Sequence, residues 1–365
     1  TAASLRGPAR ARRRVRGPSR GAHSIAPMNP PADDARLFAL REWLAHALPG
    51  AAFTVAPASA DASFRRYFRV ALAAPHAIAP DAATLIAMDA PPSLENCRPF
   101  VHVASLLHAA GVHAPRVLAQ DLDRGFLLLT DLGTTTYMAA LDAGSAPALY
   151  LDALDALVRF QRTSREGELP PYDEALLRRE LDLFPDWYVA RHLNRTLDAA
   201  ARASLERVFA LVLANNLAQP RVFVHRDYHS RNLMVSAPNP GVLDFQDAVY
   251  GPVTYDLVSL LRDAYVEWDE ERQLDWAVRY WERARAAGIP VDADFGAFWR
   301  DFEWMGVQRQ LKVLGIFARL AHRDGKASYV QDMPLVMRYL RAACGRYGEL
   351  SPLLALLDAL AADAP

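Results

Sequence analysis

The stretch Val222-Phe223-Val224-His225-Arg226-Asp227-Tyr228-His229-Ser230-Arg231-Asn232-Leu233-Met234-Val235 sets a polar loop between two short apolar runs. After a Pro/Asn/Gly turn the chain continues Gly241-Val242-Leu243-Asp244-Phe245-Gln246-Asp247, a third apolar run that ends in an acid. β-Branched and aromatic runs bounded by turn formers read as strands. Polar side chains at their ends stand on a rigid scaffold, where a cleft can be built. Long amphipathic stretches surround this island, at 148–162, 174–191, 197–215, 255–264, 271–287, 295–321 and 335–347.

Upstream the texture differs. Leu37, Leu40, Leu44 and Leu48 recur at helical spacing, and Pro49-Gly50 ends that helix. Strand-like runs follow at 53–56, 67–72 and 84–88, then a helix over 98–110 and two more strands at 116–121 and 125–129. The sequence therefore predicts an α+β chain with a small sheet lobe at 28–133 and a larger, mainly helical lobe at 134–365, the change falling at Asp131-Leu132-Gly133.

Composition bounds the function. The 365 residues are 52% hydrophobic and 23% charged, with net charge −1, an ordinary globular balance that argues against a whole-chain nucleic-acid binder. No apolar run is long enough for a membrane-spanning helix. Cys97 and Cys344 are too few for a disulfide framework or a Cys-rich zinc site, and fit a reducing cytoplasm. Residues 1–27 carry seven arginines and no acid, so the remaining chain carries −8. Those residues lack apolar periodicity and read as a disordered basic leader ahead of Met28, an upstream-start or cloning artefact in preference to a transit peptide or a nucleic-acid-binding arm. A monomer is expected.

The island's spacing fits phosphoryl transfer. An Asp on a loop can orient and deprotonate an attacking hydroxyl; an Asn five residues later and a second Asp at a strand end can face one Mg²⁺. Carboxylate and amide oxygens suit Mg²⁺ rather than zinc.

His225-Arg226-Asp227 with Asn232, then Leu243-Asp244-Phe245, resembles the catalytic loop and metal-binding Asp of the protein-kinase-like superfamily. Gly251-Pro252 and Asp256-Leu257 beyond them resemble its aminoglycoside phosphotransferase and choline kinase branch. The resemblance covers about 37–357 and implies a bilobal fold with ATP between the lobes. It implies Asp227 as catalytic base, Asn232 and Asp244 as Mg²⁺ ligands, and His229 as a phosphate contact or a surface residue. Asp256 would brace the loop. It further implies adenine contacts from the backbone of Leu129 and Asp131.

One part of that pattern is missing. Protein kinases hold the phosphates with a Lys on the third strand, paired to a helix Glu. The chain's two lysines are Lys312 and Lys326; Met88 and Val101 occupy the two kinase positions. The loop Ser59-Ala60-Asp61-Ala62-Ser63-Phe64-Arg65-Arg66 offers a substitute, with the Ser63 hydroxyl and the guanidinium groups of Arg65 and Arg66, or of Arg69 just beyond.

Ala60-Asp61-Ala62-Ser63-Phe64-Arg65-Arg66-Tyr67, Ala87-Met88-Asp89-Ala90-Pro91-Pro92 and the island together resemble a narrower bacterial group, the anomeric kinases of cell-wall recycling. That likeness implies phosphorylation of N-acetylmuramate or N-acetylglucosamine at C1. From the residues alone the reading stops at a small-molecule hydroxyl kinase, with choline, homoserine and aminoglycosides as rival acceptors and a non-catalytic nucleotide binder as the contrasting class. Trp304, Gln308, Arg309 and Lys312 lie on one predicted helix and are candidate sugar contacts, against an interfacial helix face as the plainer reading.

Overall fold

The computed structural model describes residues 35–60 and 64–362. Ser63 and the leader lie outside the described residues, as do the side chains of Ser59 and Ala60. The first lobe opens with helix α1 (Ala35–Ala47) and strands β1 (Phe53–Ala60), β2 (Arg66–Leu72) and β3 (Thr84–Asp89). Helix α2 (Arg98–Ala109) then precedes β4 (Val117–Asp121) and β5 (Phe126–Thr130). The strands form an antiparallel sheet in the order β1-β2-β3-β5-β4.

Alternation along the strands divides the sheet's two faces. Leu85, Ala87, Phe126 and Leu128 pack against Leu40, Trp43 and Leu44 of α1. Met88, Leu127 and Leu129 face the other way and join Phe100, Val103 and Leu107 of α2 in a core continuous with the helical lobe. Met88, at the kinase lysine position, is therefore a core residue, and Val101 on α2 packs against the same core.

The second lobe contains α3 (Tyr137–Ala140), α4 (Ala146–Gln161), α5 (Glu174–Leu183), α6 (Ala199–Ala218), α7 (Tyr255–Leu261), α8 (Glu270–Ala286), α9 (Phe295–His322), α10 (Met333–Arg346) and α11 (Ser351–Ala362). The sequence reading did not anticipate α11. Between α6 and α7 lie two antiparallel ribbons, β6 (Arg221–Val224) with β9 (Val249–Pro252) and β7 (Leu233–Met234) with β8 (Gly241–Val242). The expected helix over 174–191 changes to a π-helix at Phe184–His192, where Pro185 removes a backbone donor and the wider turn follows. Helix α9 runs through the middle of the lobe. At Gly315 an added Cβ would stand 2.4 Å from the Leu183 backbone, so only glycine admits this crossing.

Candidate active site

The loop between β6 and β7 is pinned by two buried carboxylates. Asp256, in the first turn of α7, accepts the backbone N–H groups of His225 (2.6 Å) and Arg226 (2.9 Å), as a brace should. Asp263, just past α7, accepts the Ser230 N–H at 3.0 Å and its hydroxyl. The buried His225 ring fixes the loop from the side. Its Nε2–H donates to the Leu243 carbonyl at 2.9 Å, and Nδ1 accepts from the Asp227 N–H at 3.2 Å. That pair of bonds selects one neutral tautomer. Burial pushes the imidazole down to about 4.

Asp227, Asn232 and Asp244 come together. The Asn232 amide nitrogen donates to the Asp227 carbonyl at 3.0 Å and to Asp244 Oδ2 at 3.1 Å. With its N–H groups used, its oxygen is left as the acceptor. Gln246 donates to Asp244 Oδ1 at 2.8 Å, and its own Oε1 is buried without a hydrogen-bond partner. Arg226 and Asp244 have φ of 77° and 60°, two of the three non-glycine positive-φ residues among the described residues. Such backbone is costly and persists where surrounding bonds over-determine it.

This donor set suits a hard divalent ion. The Asp244 carboxylate, the Asn232 amide bonded to it and the unpartnered Gln246 oxygen are all oxygen donors of the kind such an ion takes. No group of three or more His, Cys, Asp or Glu placed to hold a metal occurs among the described residues. Mg²⁺ is commonly held by one or two carboxylates with substrate phosphates completing the shell.

A buried ion-pair network backs Asp227. Glu180 on α5 binds the Arg226 guanidinium, the Lys312 ammonium at 3.0 Å and the Tyr172 hydroxyl. Burial pushes the Asp227 carboxyl up, but the charges of Lys312, His229 and Arg226 more than offset it and hold the group below its usual range. His229 is partly buried, its Nδ1 lacks a hydrogen-bond partner, and burial lowers its pKa.

The sugar face expected on α9 is corrected. Trp304, Gln308, Arg309 and Lys312 are all buried. Gln308 donates to the Leu177 carbonyl at 2.9 Å, Arg309 to the Ser259 hydroxyl at 2.6 Å and Lys312 to the Tyr255 hydroxyl at 2.8 Å. The helix is central, so these polar residues bond to α5 and α7 inside the lobe.

The arginines of the first lobe part company. Arg65 donates to Glu95, ahead of α2, and its charge also feels Asp247 and Asp244. Arg66 sits opposite Asp89 in the β2–β3 register and binds that fully buried carboxylate, which Arg36 binds as well. Arg69 donates to Asp131 at 2.6 Å and to the Gly133 carbonyl at 3.1 Å, so it braces the junction between lobes. The Asp131 carboxylate also accepts from Thr84 and from the Gly133 N–H. Leu129 lies inside β5, paired on both edges. Glu95, Glu180 and Asp263 are lone polar residues outside any motif and carry no signal in the sequence, whereas Gln246 stands within the quoted motif without a role that spacing assigns.

A family model described as the phosphotransferase enzyme family matches residues 54–291. An N-acetylmuramate/N-acetylglucosamine kinase from Pseudomonas putida is 51% identical over 346 residues, covering 92% of this chain and 99% of that protein. Its counterpart from Pseudomonas aeruginosa is 53% identical over 338 residues, covering 90% and 98%. The fold is similar to that of an ADP-bound aminoglycoside phosphotransferase, APH(2'')-Ib, with TM-score 0.53, 13% identity and coverage of 82% of this chain and 97% of that one. With a family match over most of the chain and relatives at this identity, the chain belongs to the phosphotransferase enzyme family.

Proposed function

We propose that this chain transfers the γ-phosphoryl group of ATP to the C1 hydroxyl of N-acetylmuramate and N-acetylglucosamine, giving the sugar 1-phosphate and ADP. The observation that carries the reading is the Asn232 amide bridging the Asp227 backbone carbonyl and Asp244 Oδ2, which ties the residue expected to be the base to the two expected metal ligands. The acceptor class follows from the kinases that share about half of this chain's residues.

Asp227 orients the anomeric hydroxyl and accepts its proton. An anomeric hydroxyl is more acidic than an ordinary alcohol, so a carboxylate held ionised suffices as base. Asn232 and Asp244 would hold Mg²⁺, with the unpartnered Gln246 oxygen next to Asp244. Such an ion would supply positive charge against the negative charge that develops on the transferred phosphoryl group. Arg65 supplies the further positive charge, set by Glu95. The adenine lies at the junction after β5, with residues 28–133 and 134–365 as the two lobes that close on the nucleotide. The reaction belongs to the cytoplasm, where ATP is available; Cys97 and Cys344 are free and buried.

The test is ADP release, coupled to a spectrophotometric readout, with N-acetylmuramate, N-acetylglucosamine, choline, homoserine and gentamicin as acceptors. Turnover with the two amino sugars and a sugar 1-phosphate product is the expected result. Turnover confined to choline, homoserine or gentamicin, or to none, overturns the reading.

A further inference from the structure

Arg231 stands four residues beyond Asp227 and directly before Asn232. Its neighbours set its environment. The Arg231 guanidinium lies 4.7 Å from the centre of the Tyr265 ring and 5.7 Å from that of Tyr329. It is also hydrogen-bonded to both phenol groups. Tyr265 meets the His229 ring edge-on at 5.6 Å, and His229 in turn feels the charges of both Asp227 and Arg231. One aromatic ring therefore separates Arg231 from His229, inside the loop that carries Asp227.

Two features mark this arginine as unusual in the chain. It is exposed, yet its partners are tyrosines, and no carboxylate pairs with it among the described residues. Most other arginines around the site are neutralised: Arg226 by Glu180, Arg262 by Glu303, Arg65 by Glu95. Second, it is held in place. Stacking on two rings restricts a side chain that would otherwise lose much rotamer freedom on binding a ligand. Tyr265, Phe317 and Tyr329 form a continuous aromatic wall beside it, with ring centres 6.0 and 5.2 Å apart.

The two proposed acceptors differ at one place. N-acetylmuramate is N-acetylglucosamine with a lactyl ether on O3, and that ether ends in a carboxylate. A sugar whose C1 hydroxyl faces Asp227 projects its O3 substituent across the ring, away from the phosphoryl group. A positively charged fork on the rim of the site matches such a group, since guanidinium binds carboxylate through two parallel hydrogen bonds.

We propose that Arg231, clamped by Tyr265 and Tyr329, is the subsite for the lactyl carboxylate of N-acetylmuramate and sets the preference between the two sugars. The inference rests on the acceptor class proposed above. The lactyl carboxylate occurs on one sugar only, so Arg231 would act on affinity for that substrate rather than on the chemistry common to both. A cation at this rim also disfavours polycationic aminoglycosides.

The experiment compares three acceptors on the full chain: N-acetylmuramate, its neutral methyl ester and N-acetylglucosamine. Wild-type protein should favour the acid over the ester in kcat/KM by about ten- to a hundredfold, mostly through KM. Arg231→Ala should erase that gap and leave N-acetylglucosamine within about threefold of wild type. Arg231→Lys should restore part of it, because the charge remains and the fork is lost. The acid's advantage should shrink with added salt, as befits an exposed charge pair. The ester comparison needs no variant, so misfolding of Arg231→Ala leaves the question answerable. A wild type that uses acid and ester equally overturns the inference and leaves the proposed function standing. So does an Arg231→Ala variant that weakens both sugars alike. A wild type that phosphorylates neither sugar overturns the proposed function and the inference together.

Discussion

Arg65 Nη2 lies 2.9 Å from Glu95 Oε2, with the two side chains 11% and 14% exposed. Glu95 also accepts the Phe64 N–H at 3.3 Å, so one carboxylate orders both the start of β2 and its arginine. Protein kinases place a Lys–Glu pair at the equivalent junction of sheet and helix. Met88 lies in the core here and Val101 packs against it, and the Arg65–Glu95 pair is the one proposed above to serve the phosphates instead. Guanidinium offers two parallel donors where ammonium offers a point charge.

The pair gives a prediction that separates neighbouring arginines. Arg65→Ala should raise the KM for ATP or lower kcat by about ten- to a hundredfold, the worth of one charge-assisted hydrogen bond. Glu95→Gln should reproduce part of that loss with little change in sugar KM. Arg66→Ala should leave ATP kinetics near wild type and cost about 1–2 kcal/mol of stability, because its partner is the buried Asp89. Steady-state kinetics and urea unfolding of the three variants are the checks. Unchanged ATP kinetics in Arg65→Ala would remove this residue from the phosphate site.

Asp227 and Asp244 should fail differently. Asp227→Asn should depress kcat by several orders of magnitude with nucleotide affinity largely retained, since its task begins with the acceptor hydroxyl. Asp244→Asn should weaken Mg²⁺-dependent nucleotide binding as well. Calorimetric titration of ADP with and without Mg²⁺ tells them apart.

His225 and Asp256 oppose each other in pH dependence. Burial holds His225 down at about 4, against 6.5 for the free group. Its contribution is present above pH 6.5 and is lost as pH falls towards 4, at most about 3 kcal/mol. Asp256 is pushed up by burial to about 7 from 3.8, so its contribution is present below 3.8 and lost as pH rises through 7. The wild-type profile is therefore expected to be shallow between these limits. In His225→Asn the His225 part is absent, so the variant should be increasingly stabilised relative to its own neutral-pH value as pH drops. Urea unfolding at intervals from pH 7 to 4.5 measures the change in slope.

Gly315→Ala should destabilise the helical lobe by about 1–3 kcal/mol, because the new Cβ meets Leu183 backbone that cannot rotate away. Thermal melting reads this directly. Gly345→Ala is the control: an added Cβ there meets nothing within 4 Å.

How much of this was legible in the chain follows from what holds each feature together. Asp227, Asn232 and Asp244 are close in sequence and joined by a short ribbon, so local hydrogen bonds bring them together, and their spacing was readable. The division into a sheet lobe and a helical lobe was readable for a similar reason: hydrophobic period reports local geometry directly. The two features that needed tertiary structure involve choice of face. Arg65 and Arg66 are adjacent, but Arg65 lies just before β2 and meets Glu95 while Arg66 opens the strand; the register that sets Arg66 against Asp89 is a property of strand pairing. Helix α9 has polar residues that look like a wet face in sequence, yet it is enclosed on all sides, and Gln308, Arg309 and Lys312 bond to neighbouring elements instead. Periodicity reveals a helix's outward face only where one side meets water, and for a central helix the packing of every neighbour decides the matter.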